Sequence, residues 1–384
     1  MTTSGSKPSA SRIARAETLP PLRVDGRRNA LLHSLADHTD VDAFIVTNLV
    51  NVRWLTGFTG SAGLAILTPD DLVLITDGRY DGQAHRELEN AGSDARVIIT
   101  SHEQKERTVE VIGDVPRIGL EAAHISWERQ RTFRDSWFPD ARLAATTGIV
   151  DQLRRRKDTA ELARIERAAA ITDAALAQVL PLLATGVTER AFAFALEAEM
   201  RELGAQGPAF DTIVASGPNG ALPHHRPGPR VVSKGDLVVI DCGAMVDGYR
   251  SDMTRTVAVG EPTPTQQRMF DVVIDAQQAG FETVTADRPS VDVDTACRSV
   301  IGAAGWADAF AHGTGHGVGL DIHELPRIGK GVDDVLVEGD VITVEPGVYL
   351  PEHGGVRIED TVSVGAHGAR RITLSPKDLL AVPA

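Results

Sequence analysis

The residues of this chain best suited to chemistry lie in its second half, and the most telling stretch is Leu237 to Val257, LVVIDCGAMVDGYRSDMTRTV. Asp247-Gly248 is a strong two-residue hairpin signal, and a turn there sets Val246 opposite Tyr249 and Asp241 opposite Thr254. Asp252 then becomes the diagonal neighbour of Asp241 on the same face, at roughly 7–8 Å. Two carboxylates that close repel each other unless cations bridge them. A solvated pair is the plainer reading, but Asp241 ends the apolar run Leu237-Val238-Val239-Ile240, which has the character of a buried strand.

Residues 312–324, HGTGHGVGLDIHE, hold three of the twelve histidines among four glycines spaced two apart. Glycines so placed argue against a helix. In an extended segment they leave one face bare, open to the close approach of a backbone or a substrate, while His312 and His316 share a side. His-Glu-x-x-His is not satisfied, because position 327 is arginine and Pro326 breaks the helix that motif needs. In Val341-Ile342-Thr343-Val344-Glu345-Pro346 a glutamate ends an apolar strand, and the proline holds it extended. Alternation over 356–362 puts Val356, Ile358, Asp360 and Val362 on one face and Arg357, Glu359 and Thr361 on the other. Asp241, Asp252, Glu345 and Glu359 with the His316 imidazole carry a formal charge of −4, which two divalent cations neutralise. Oxygen ligands with a single nitrogen and no thiolate favour Mn(II), with Co(II), Zn(II) and Fe(II) as competitors.

The elements that must position these groups suggest two domains, as expected for 384 residues with 42% hydrophobic and 24% charged side chains. From Val24 to about Thr147, short apolar runs (43–47, 64–67, 72–75, 97–99, 118–120) alternate with helix-like polar stretches, which reads as a small α/β domain over residues 21–150. Within it, the glycine-punctuated segment Asn51 to Gly63 carries Trp54, either to reach a neighbouring active site or simply to pack. Asp158-Thr159-Ala160-Glu161 is a capping box that opens a helix in a second domain, residues 151–384. Thr188 starts another helix, and further helices fall at about 263–285 and 291–303. With strands at 212–215, 237–240, 341–344 and 356–362, this domain is α+β.

Net charge is −14 and the longest basic cluster is Arg154-Arg155-Arg156, so no nucleic-acid partner is expected. Cys242 and Cys297 cannot make a disulfide framework and suit a reducing compartment, Cys242 packing opposite the Asp241 face. No run of 18 apolar residues and no secretory-signal layout occurs, so no membrane partner and a cytoplasmic location are expected. Residues 1–20, rich in Ser, are read as a disordered tail.

The motifs together resemble the pita-bread metallopeptidases, specifically the Xaa-Pro aminopeptidases and Xaa-Pro dipeptidases (prolidases), over roughly residues 24–380. The resemblance rests on Asp241 in IDCGA, Asp252 in SDMTRT, His316 in HGTGHGVG, Glu345 in VEPGVY and Glu359 in GVRIED, in the order of the family's five metal ligands. It implies that His224 in ALPHHRP transfers a proton near the scissile bond, that His323 stabilises the carbonyl and the intermediate, that His312 lines the proline pocket and that Arg357 supports the site. Glu345 is the implied general base for a water activated by two divalent metal ions. NVRWLTGFTGS and TDGRY resemble the creatinase-type N-terminal domain of proline-specific members, which implies proline-containing peptides as substrates and a homodimer. The expected activity is that of an Xaa-Pro aminopeptidase; the alternative is a dipeptidase restricted to Xaa-Pro, and a more remote one is a non-catalytic binding protein.

Overall fold

The computed structural model describes residues 18–379 and the backbone of 381–382, so the tail expected at the N-terminus falls almost wholly outside the described residues. The chain divides into two compact units, Pro20–Arg154 and a larger one formed from Arg155 onward.

In the first unit the strands are β1 (Ala43–Val46), β2 (Leu64–Leu67), β3 (Leu72–Thr76), β4 (Arg96–Ile99), β5 (Arg117–Glu121) and β6 (Arg142–Thr146). They form one sheet in the order β4-β3-β2-β1-β5-β6, antiparallel at β1–β2 and β2–β3 and parallel elsewhere. β6 escapes the sequence pattern because its residues, RLAAT, are short and half-exposed at an edge. The segment from Asn51 is less loop-like than its glycines suggest: Leu49–Thr56 is a helix capped by the Asn48 side chain. Trp54 and Phe58 are buried within this unit, so the packing reading describes them. The Glu121 carboxylate accepts from the Thr47 and Asn48 amides and from Asn51 Nδ2, fastening that helix to the end of β5.

The larger unit opens on the Asp158 cap, with both halves of the box formed to Glu161. Its helix, Thr159–Val179, runs on as a 3-10 stretch to Thr185. Length and hydropathy alone would let it cross a bilayer. Instead Ile165, Ala168, Ile171, Ala175 and Leu176 are buried in the protein interior. Strands β7 (Gly207–Pro208), β8 (Ile213–Ser216), β9 (Leu237–Cys242), β10 (Ala244–Val246), β11 (Tyr249–Arg250) and β12 (Met253–Val259) follow. The hairpin turns at Asp247 (φ 44) and Gly248 (φ 73), and its pairs are Val246–Tyr249 and Asp241–Thr254. Beyond the helices Pro264–Thr283 and Ser290–Ala303 come β13 (Gly315–Gly317), β14 (Glu324–Ile328), β15 (Val341–Val344), β16 (Gly347–Leu350), β17 (Gly354–Arg357), β18 (Asp360–Gly365), β19 (Gly368–Arg371) and β20 (Ala381–Val382). They complete a four-stranded sheet, β20-β12-β9-β8, and a five-stranded one, β14-β13-β15-β18-β19. One apolar core packs the helices Thr159–Val179 and Glu189–Glu202 against β8, β9 and β12, and another packs the later helix pair against β15, β17 and β18.

The single strand expected at 356–362 is two strands. β17 pairs with β16, β18 pairs with β15 and β19, and the chain changes sheet at Ile358-Glu359, where the Glu359 amide donates to the Thr254 carbonyl. The alternation of faces survives the change.

Candidate metal centre

Each candidate ligand sits where a strand ends or is interrupted. Asp241 is on β9, Asp252 just before β12, His316 in the three-residue β13, Glu345 directly after β15, and Glu359 at the break between β17 and β18. The glycines around His316 serve the backbone: a Cβ on Gly315 would stand 2.1 Å from the Thr343 carbonyl oxygen, and one on Gly317 2.2 Å from that of Leu325. The bare face foreseen for this segment is therefore filled by the two neighbouring strands.

Ligand atoms of Asp252, His316 and Glu359 lie within 4.8 Å of one another. His316 Nε2 is 3.4 Å from Glu345 Oε1 and 3.7 Å from Asp252 Oδ2. Asp241 joins through Arg357, whose Nη2 donates to its Oδ2 at 2.6 Å. His224, His312 and His323 line the same cavity of about 830 Å³, so all nine residues singled out from sequence come together. Asp360 faces away, its buried carboxylate receiving Arg255, Arg371 and Lys377.

The donor set fits divalent cations. His316 Nδ1 lies 3.1 Å from the Gly317 carbonyl, the contact that assigns its proton there and leaves Nε2 as a bare acceptor facing carboxylate oxygens. Asp241 Oδ1 is buried with no hydrogen-bond partner. Burial, and then the crowding of Glu359, Asp241 and Glu345, lifts the Asp252 carboxyl well above the carboxylate range. Glu359 is lifted likewise by burial and then by Glu345 and Asp241, and Glu345 is pushed up to about 7 chiefly by burial. Burial and neighbouring His323 push His316 down to about 4, keeping the imidazole neutral as a ligand must be. Carboxylates crowded in this way repel one another and hold protons in the metal-free chain, and oxygen-seeking divalent ions can take the place of those protons.

Comparison with known proteins fixes the lineage. Residues 163–366 match the model of metallopeptidase family M24, and residues 27–156 match the creatinase/prolidase N-terminal domain. The chain belongs to metallopeptidase family M24. Its fold is the pita-bread fold of the prolidases behind a creatinase-type N-terminal domain, and the family implies divalent metal ions. The Xaa-Pro dipeptidase of Pyrococcus furiosus is 34% identical over 90% of this chain and 97% of its own. The structure of an Xaa-Pro dipeptidase from Bacillus anthracis matches with a TM-score of 0.88 at 35% identity, covering 92% of this chain and 99% of that one. An X-Pro aminopeptidase from Thermotoga maritima matches with a TM-score of 0.82 at 34% identity, over 89% and 98%.

Around this M24 centre stand residues the sequence left unmarked. The Thr254 hydroxyl donates to Glu359 Oε2 at 2.7 Å and accepts from Arg357 Nε at 3.1 Å. Tyr349 Oη lies 2.8 Å from both Arg357 Nη1 and His312 Nε2. With Arg357 as donor, Tyr349 donates on to His312, whose pKa burial and Arg357 push down to about 4. Burial opposes the charge of Arg357, but Tyr349, Asp241, Glu345 and Glu359 outweigh it and bind its proton more tightly. Thr254 was in view as the partner of Asp241, since its hydroxyl shares that face. Tyr349 carried no signal, because its place depends on the β16–β17 pairing, which joins Gly347 to Arg357. Arg298, Arg327 and Lys330 also line the cavity and were not foreseen.

Proposed function

We propose that this protein is an Xaa-Pro dipeptidase with a dinuclear centre held by Asp241, Asp252, His316, Glu345 and Glu359, with Mn(II) as its metal. The observation that carries the reading is one cavity that joins these ligands to three histidines and to the cations Arg327 and Lys330, whereas Arg298 on the same wall is already paired with Asp294. In a dipeptide the proline bears a free carboxylate within a few ångströms of the scissile bond, and a cationic wall suits that charge. Longer peptides carry a neutral amide there.

Bound divalent ions supply Lewis-acid polarisation of the scissile carbonyl and make water acidic enough to ionise near neutral pH. Glu345 takes the proton of the attacking water as general base. His323, its ring centroid 4.4 Å from that of His316, donates to the developing oxyanion. His224 delivers a proton to the proline nitrogen, which carries no hydrogen in the substrate and leaves as a secondary amine. His312, held by Tyr349 and by the Gly313 carbonyl, presents its ring to the pyrrolidine. Arg357 holds Asp241.

The aminopeptidase reading, first expected from sequence, draws support from the likeness to the Thermotoga maritima enzyme. A length series decides between the two: Ala-Pro, Ala-Pro-Ala and Ala-Pro-Ala-Ala assayed with Mn(II). A dipeptidase cuts the first and loses most activity on the others. Equal or better cleavage of the longer peptides establishes the aminopeptidase. Efficient cleavage of Ala-Ala removes the proline requirement from both.

A further inference from the structure

Glu189 is the first residue of the helix Glu189–Glu202, and its side chain has no exposure to solvent. Five donors converge on it. Oε1 accepts from the Ser216 amide at 2.8 Å, the Ser216 hydroxyl at 2.7 Å and Asn219 Nδ2 at 2.9 Å. Oε2 accepts from His225 Nε2 at 2.8 Å and the Gly228 amide at 3.1 Å. Burial raises this carboxyl, but the donors outweigh it, so it is held below the ordinary value and stays ionised.

All five donors belong to one excursion of the chain, residues 216–228, which leaves β8 and passes the cavity. The excursion carries two adjacent histidines with opposite fates. The His225 amide donates to the Leu222 carbonyl at 3.2 Å, closing a turn from which the His225 ring goes inward to Glu189 while His224 lines the cavity. The turn is tied from the other side too. Arg357 Nη1 donates to the Pro223 carbonyl at 3.3 Å, and Gly355 lets the Gly220 carbonyl approach so closely that a Cβ there would stand 1.9 Å from it.

We infer that Glu189, acting through His225, is a positioning residue that fixes the direction of His224. A buried anion with five donors is a stiff anchor, because every departure of the loop leaves a charge partly unpaired. Among the described residues the His224 side chain has no hydrogen-bond partner, so its aim is set by the backbone on either side. The inference rests on His224 as the proton carrier proposed above.

The test is a mutant cycle on the Mn(II)-loaded enzyme with Ala-Pro as probe. His225→Ala is expected to lower kcat about 10²-fold, the scale of an ångström-sized misplacement, with metal content unchanged and KM within a few-fold. His225→Gln, which keeps an N–H donor toward Glu189, is expected to recover most of the loss. His224→Ala/His225→Ala is expected to be no slower than His224→Ala alone, because a residue that acts through His224 has nothing left to position. Multiplying losses in the double variant, or a His225→Ala enzyme as fast as wild type beside a crippled His224→Ala, overturns the inference. Equal impairment of the Ala and Gln variants does the same. A fully active His224→Ala overturns the reading of His224 itself. Glu189→Gln, where it folds, should behave as His225→Ala does; the His225 series carries the test without it.

Discussion

Glu345, proposed as the general base, is open to test by a change of a single atom. Glu345→Gln removes the proton acceptor and keeps the shape, so kcat should fall about 10²–10⁴-fold. Metal analysis of the variant checks that the loss is basicity, since a ligand amide also binds cations more weakly. Thr254 gives a second case. Its hydroxyl links Glu359 to Arg357, and Thr254→Val keeps the volume while leaving Glu359 Oε2 without that donor. Metal affinity, measured by competition with a chelator, should drop about 10–100-fold, as for other supporting contacts of ligands. An unchanged affinity would falsify the role given to Thr254. These two residues also mark the limits of reading a sequence. Glu345 announces itself by ending an apolar strand before a proline. Thr254 does so only once the hairpin register is known, and Tyr349 and Arg298 meet His312 by contacts between segments that no local pattern encodes.

Glycines decide how closely the strands around the site can pack. Gly315→Ala forces a methyl group to 2.1 Å from the Thr343 carbonyl oxygen, where nothing flexible can yield. β13 must then move off β15, at a cost of about 1–3 kcal/mol or more, and His316 moves with it. Gly302→Ala, within the helix Ser290–Ala303, meets nothing nearer than 3.9 Å and should be neutral or stabilising by about 0.5–1 kcal/mol. Thermal unfolding of the two variants compares them directly. The hairpin register, the capping box and the helix starts were legible because each follows from a few neighbouring residues. The change of sheet at Ile358-Glu359 was not, because an alternating pattern looks the same whether one strand continues or two meet end to end. The helix at Leu49 was hidden by the glycines that follow it, one of which, Gly57, is its left-handed stop.

For the molecule as a whole, the centre links metal, pH and stability. In the metal-free chain burial pushes Glu345 up to about 7, and burial with the neighbouring carboxylates holds Asp252 and Glu359 well above the ordinary carboxylate range. A carboxyl whose folded value is raised lends stability that is complete below its unfolded value and lost as pH rises through the folded one. The chelated protein should therefore lose stability as pH climbs from about 4.5 to beyond 7. Cations that bind the folded state replace those protons and stabilise by about 4 kcal/mol per site at a thousandfold excess over Kd. The gap in Tm between Mn(II)-loaded and chelated protein should widen across this range. A constant gap from pH 5 to pH 8 counts against the protonated, crowded cluster. The order of the ligands along the chain has a last consequence, for synthesis on the ribosome. A chain extruded only as far as β14 has Asp241, Asp252 and His316 but neither Glu345, the proposed base, nor Glu359, and Arg255 still lacks Asp360 and the Ser375 carbonyl that hold it behind Thr254. Such a nascent chain lacks two of the five proposed ligands, the proposed base among them, so a ribosome-bound fragment ending at β14 should show no peptidase activity while the released full chain does.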